Sequence, residues 1–205
     1  LGFRFPLRAD VKLNEVNVVG ATNMRDVSMN PGPCGFQLSN SDLELKLSNK
    51  VLKVGGRVEM NGVPLSVNWH EDFVTSEDFR SRYIFSGELG APEFSRLGLP
   101  DMPFFGGRTE TNLIVSRFGD GRTEVLGSIN LNDVVLSVPE IGWIKPAGQP
   151  GTVRFGMTSS VDGSARIDRF DLIAGDMEAI GKLDFEGGNF RRWKADISKF
   201  KVGKT

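Results

Sequence analysis

One cysteine and one histidine in 205 residues exclude a good deal of chemistry. Cys34 alone cannot close an internal disulfide, and no cysteine-based zinc site can be built on it. With His70 the only imidazole, His-rich metal sites and Ser-His-Asp machinery lack their parts. Charge of one sign is lacking too. Twenty-five Lys and Arg against 26 Asp and Glu leave a net charge of −1. That provides neither the basic footprint of a nucleic-acid binder nor a polybasic membrane-surface anchor. No run approaches the roughly 20 apolar residues of a transmembrane helix, and no signal peptide opens the chain. The first residues, from Leu1 to Phe5, lack an initiator Met and already read as a strand. The sequence is therefore expected to be a piece of a longer protein.

What is abundant is turn chemistry. Twenty-five Gly and ten Pro accompany a 39% hydrophobic share, the composition of a globular fold with many turns. Asn61-Gly62 is the strongest two-residue hairpin signal, because a type I′ turn needs positive φ at both central positions. With that turn, Met60 faces Val63, Val58 faces Leu65, Gly56 faces Val67 and Val54 faces Trp69. The polar side sets Glu59 with Ser66 and Arg57 with Asn68. Asn49-Lys50 as a second turn places Leu47 opposite Leu52, Leu45 opposite Val54 and Leu43 opposite Gly56. Two turns chosen independently thus continue one apolar face over three strands, and a one-residue slip in either would break it.

The same pattern returns twice. Asn132-Asp133 as a turn pairs Leu131 with Val134, Ile129 with Leu136 and Gly127 with Val138. Gly175-Asp176 pairs Leu172 with Ala179 and Phe170 with Gly181. Gly187-Gly188 starts a further return through Phe190, Trp193 and Ile197, and Phe3 to Val19 also reads as strands. These meanders predict an antiparallel all-β fold, as an extended curved sheet, a barrel or, alternatively, a β-sandwich. Two segments break the pattern. Residues 71–82 read as a long loop or one helical turn. Residues 92–98 read as a short helix, with Pro92 near its start, Phe94 and Leu97 on one face and Gly98 at C′. Gly106-Gly107 and residues 139–151 read as loops. The second of these is a weak sub-boundary within what is expected to be one domain over residues 1–205.

Candidates for chemistry are few. His70 beside Glu71 and Asp72 could be a general base with a carboxylate orienter, but adjacent residues of an extended chain point to opposite sides. Asp42, Glu44, Glu59 and Asp184 alternate with apolar residues, as on the solvent face of a sheet. Asp120-Gly121 and Asp162-Gly163 are turn chemistry, with too few ordered oxygens for a calcium loop. Trp69, Trp143 and Trp193 could stack on sugars, although aromatics at strand ends are more often packing. The expectation is no catalytic residue, no metal and no cofactor. The apolar face itself is either half of a core or a groove open to hydrocarbon.

Three strings resemble a known family: LKVGGRVEMNGVPLSVNWHEDF (Leu52 to Phe73), RSRYIFSGELGAPEFSRLGL (Arg80 to Leu99) with FFGG after it, and LNDVVLSVPEIGWIKPAGQPG (Leu131 to Gly151). They are similar to the central region of AsmA-like bacterial envelope proteins, which are bridge-like lipid-transfer proteins. The resemblance implies a β-sheet curled into a long periplasmic groove, in a parent chain anchored in the inner membrane. It also implies phospholipid, or another acyl-chain lipid, as partner, with neighbouring repeats of the same parent chain beside it. The groove-lining candidates are then Leu43, Leu45, Leu47, Val54 and Val58, with Met60, Val63, Leu65 and Val67. The second meander adds Ile129, Leu131, Val134, Leu136 and Val138. The alternatives are a structural or protein-binding sandwich that recruits partners by strand addition, and a carbohydrate-binding module.

Overall fold

In a computed structural model, the fold is all-β and antiparallel, with one short helix. The structure describes residues 2–4, 17–30, 36–48, 50–74, 79–98, 102–161, 164–185 and 193–203. Cys34, Phe190, Gly187-Gly188 and Asp162-Gly163 lie outside that set. The contacts divide the chain into two compact units, Leu1–Ile84 with Ser116–Gly119, and Phe85–Val115 with Asp120–Thr205. The expected sub-boundary at 139–151 falls inside the second unit, because Trp143 and Lys145 in that segment are buried.

In the first unit, β1 (Gly2–Arg4), β2 (Asn17–Met29), β3 (Leu38–Ser48), β4 (Val51–Met60) and β5 (Val63–Asp72) pair in chain order. Positive φ at Asn61 and Gly62 closes the β4–β5 hairpin, and the apolar register is the one read from sequence. The polar pairs differ by one step. Pro64 stands opposite Glu59 and Ser66 opposite Arg57, so the sequence reading had joined diagonal neighbours. Leu47, Leu45 and Leu43 face Leu52, Val54 and Gly56 as expected. Of the expected loop at 71–82, Glu71 and Asp72 lie in β5, Ser81 and Arg82 lie in β6 (Ser81–Gly90), and residues 75–78 lie outside the described set.

In the second unit, α1 (Ala91–Arg96) follows β6, then β7 (Phe105–Gly106) and β8 (Arg108–Arg117). The helix ends at Leu97 with Gly98 in the left-handed region beyond it. At its start the Glu93 carboxylate accepts the Gly90 N–H at 2.9 Å and lies 3.2 Å from Arg108. β9 (Thr123–Asn130), β12 (Gly151–Ser159), β13 (Ala165–Ala174), β14 (Met177–Phe185) and β15 (Trp193–Val202) form a five-stranded run in that order. The Gly175-Asp176 turn gives the expected pairs Leu172–Ala179 and Phe170–Gly181.

The expected hairpin across Asn132-Asp133 is corrected. The turn exists, with Val134 N–H on Leu131 O at 3.2 Å, but its flanks are not partners. β9 pairs with β12, while β10 (Val135–Val138) pairs with β7 and with β11 (Trp143–Lys145) in a separate three-stranded sheet. Gly106 therefore sits in a strand and not in a loop. The inner side of this small sheet closes a core of Leu131, Val134, Leu136, Trp143, Ala174 and Met177.

Lys145 explains why the chain leaves the main sheet here. Its side chain is 0% exposed. Nζ donates to the carbonyl oxygens of Leu131 (2.6 Å), Val134 (2.9 Å) and Pro146 (3.2 Å), with Asn132 O at 3.5 Å. Burial pushes the ammonium's pKa below the ordinary lysine value, and the nearby Asp133 pushes it back up. The cation thus joins carbonyls of the turn and the strand ends, of which Leu131 O also accepts the Val134 N–H and Asn132 O the Gly148 N–H. Trp143 Nε1–H adds a 2.9 Å bond to Asp176.

Two outcomes follow. Lys145→Met keeps the aliphatic length but removes the donor that Val134 O and Pro146 O share, so it should cost about 3 kcal/mol, or about 9 °C in Tm, read by thermal denaturation. For Glu93, burial pushes the carboxyl up, but hydrogen bonds from the Gly90 and Glu93 backbone and the Arg108 guanidinium outweigh it and hold the pKa below 4.5. Its folded pKa is below its unfolded one, so this stability is present above the unfolded value and lost as pH falls through the folded value. Glu93→Gln should lower Tm by about 3 °C at neutral pH, and the two melting curves should converge in acid.

Candidate functional site

The catalytic candidates disperse. His70 lies within β5, half-buried, with its ring edge-on to Phe79 at 5.6 Å between centroids. Glu71 points the other way. It accepts Trp69 Nε1–H at 3.1 Å and the Ser81 hydroxyl, and lies 3.6 Å from Arg80. Asp72 is buried and accepts the Val74 N–H at 2.8 Å. No nucleophile–base pair emerges from these three. Asp120 closes its turn by accepting the Arg122 N–H at 3.0 Å. Trp69 is half-buried and stacks one face on Tyr83 at 5.5 Å, and Trp143 is core.

The groove candidates fall into two environments. In the first unit, Val54, Val58, Met60, Val63, Leu65 and Val67 are all buried, while Leu43, Leu45 and Leu47 on β3 are half-buried. All nine share one face of β3–β4–β5. In the second unit, Leu131, Val134 and Leu136 are shut in the core under the small sheet, with Ile129 and Val138 packed against them. Those five are covered by protein and do not lie on an open surface.

The less covered apolar surface of the second unit lies beside that core, on residues that the sequence reading assigns to no groove and in part does not single out. Register pairs define rungs across the five strands. One is Gly127–Phe155–Phe170–Gly181–Ile197, and on one side of it lies Val125–Met157–Ile167–Leu183. On its other side lies Ile129–Val153–Leu172–Ala179–Phe200, and there the small sheet begins to cover the face. Phe155, Met157, Ile167, Phe170 and Leu183 are half-buried, while Ile197 and Phe200 are 44% and 59% exposed. The two glycines set the height of the middle rung. A Cβ on Gly127 would stand 2.1 Å from the Phe155 ring, and one on Gly181 would stand 2.9 Å from the Phe170 ring. Both rings therefore lie down over a glycine instead of standing off the sheet. Only Phe170 opposite Gly181 was legible in the sequence as a hairpin register; Gly127 meets Phe155 across β9 and β12, which no short turn joins.

The opposite face of these strands is ionic. Arg169 holds Asp171 at 2.7 Å, Arg166 holds Asp168 at 2.6 Å, and Lys199 pairs with Glu178. The Arg169 hydrogen bond keeps the Asp171 carboxyl below its usual range, as Lys199 does for Glu178. Such exposed pairs add little stability; what they do is mark this side as the solvated one.

No family model, no curated protein and no solved structure matches the chain. The likeness to AsmA-like proteins therefore rests on the three strings quoted above.

Proposed function

We propose that the chain is a passive acyl-chain-binding β module, without a catalytic step, from a periplasmic AsmA-like envelope protein that moves phospholipid. The observation that carries this reading is the set of apolar rungs in the second unit, half-buried where the neighbouring core is closed. Four strand spacings make such a rung about 19 Å long, against roughly 15 Å for half of a bilayer's hydrocarbon core. An acyl chain laid across Phe155 and Phe170 removes apolar surface from water, at about 0.8 kcal/mol per buried methylene. The headgroup remains in water. A flat aliphatic and aromatic floor offers no polar atom that would stop the chain sliding. In the first unit the half-buried row Leu43, Leu45 and Leu47 is the comparable surface. The placement in the periplasm and the membrane-anchored parent come from the family resemblance. A scaffold that covers the same rungs with another protein is the competing reading.

Lipid extraction and native mass spectrometry of the purified chain test the proposal. Bound phospholipid or fatty acid is expected. Gly127→Val should lift the Phe155 ring into the rung, and Met157→Asp should place a carboxylate beside it. Each should cost about tenfold in lipid affinity while Tm falls only a few degrees. Undiminished lipid in both variants, or no lipid in the parent chain, would sink the assignment. Unfolding of the Met157→Asp variant would show that protein closes this face.

A further inference from the structure

The solvated face of the second unit carries one patch unlike its surroundings. Toward β15 that face is a lattice of paired charges. On β8, β9 and β12 it becomes a shallow depression of about 310 Å³ lined by Glu110, Asn112, Ser128, Asn130, Asn132 and Thr152, with Gly151 at its edge. Three primary amides and two hydroxyls surround a single charge there, and that carboxylate makes no ion pair among the described residues.

Two of the amides are held in orientation. Asn130 Oδ1 accepts the Asn132 N–H at 2.9 Å, and Asn132 Oδ1 accepts the Gly151 N–H at 3.0 Å. With each carbonyl end tied to the backbone, each Nδ2 group is directed away from it and keeps both donors. The Thr152 hydroxyl donates to Ile129 O at 3.3 Å and retains its lone pairs. Fixed donors, a carboxylate acceptor and hydroxyls thus stand on neighbouring strands with spacings of about 5 Å. We infer that this patch is a binding site for a neutral polyhydroxylated ligand, a saccharide. Vicinal hydroxyls both donate and accept. They can give hydrogen bonds to Glu110 and receive them from Asn130 and Asn132, with no charge of their own to be repelled or left unpaired. A phosphate or other anion is disfavoured by Glu110, and an aliphatic ligand would bury these amides unsatisfied. The volume lies at the small end of small-molecule sites, room for one or two sugar rings. No aromatic ring lines the depression, so affinity is expected to be weak, with a Kd of about 1–10 mM.

The test is a ¹H–¹⁵N NMR titration of the intact chain with methyl glucoside and with maltose, to about 50 mM, with sodium phosphate and sodium acetate as anion controls. The expected result is saturable shifts at the side-chain amides of Asn112, Asn130 and Asn132 and at the Gly151 N–H. Glu110→Gln should weaken them at least threefold. Asn132→Asp keeps the acceptor that holds Gly151 but removes the donors, and should have a similar effect with the spectrum otherwise preserved. Absence of shifts with either sugar, shifts that fall elsewhere, or equal shifts in both variants would overturn the assignment. Larger shifts with phosphate or acetate would replace it with an anion site.

Discussion

Everything in this molecule depends on antiparallel register. A strand's side chains alternate with period two, so a hairpin that slips by one residue exchanges its apolar and polar faces. Asn61-Gly62 and Gly175-Asp176 hold that register at two places in the chain. Around the first, the valines and leucines of β4 and β5 share a buried face. Around the second, Leu172 meets Ala179 and Phe170 meets Gly181, while Arg169, Asp171 and Glu178 are left to water. The separation into an apolar side and an ionic side follows from those turns, and both candidate sites inherit it. One needs the apolar face, and the other needs the face that carries the charges and amides.

The parts of the fold legible in the sequence are those that local chemistry decides. A two-residue turn with its flanking alternation leaves one workable register, which is why β3 to β5 and β13 to β14 pair as read. Asn132-Asp133 looks like the same signal, and it does make a turn. What the local pattern does not carry is the competitor. β12, some twenty residues downstream, takes β9's hydrogen bonds, and Lys145 occupies the carbonyls at the turn. A lysine in a Trp-Ile-Lys-Pro string reads as a surface charge, because lysine is almost never fully buried. Only the tertiary arrangement shows four carbonyl oxygens converging on it. The covering of Leu131, Val134 and Leu136 is illegible for the same reason: they have the right alternation, but a separate sheet closes over them.

Lys145 also bears on what the second unit can do. A buried ammonium without a carboxylate in contact is costly, and here backbone oxygens replace the solvent it lost. The arrangement is stiff, because each carbonyl belongs to the turn or to the strand end that the lysine joins. The small sheet is thereby held over one side of the five-stranded face as a fixed wall. The half-buried rungs next to it border a structure that would not have to open for the proposed ligand to lie down.

In the proposed role, half-burial suits those rungs to a weak and mobile ligand. Phe155 and Phe170 already hide much of their surface, each against a glycine, and the neighbouring rungs shield more. Leaving them uncovered therefore exposes less apolar area than upright rings would, and an uncovered face of this kind adds less to aggregation. The same fact limits what a bound chain gains, since only the remaining area can be removed from water. Each methylene then contributes a small and nearly equal increment along the rung. A flat series of small increments resists dissociation in sum but presents no single deep well to movement by one carbon. A surface that gripped acyl chains through upright side chains and pockets would bind more tightly and hold each chain in place, which is the opposite of what transfer requires.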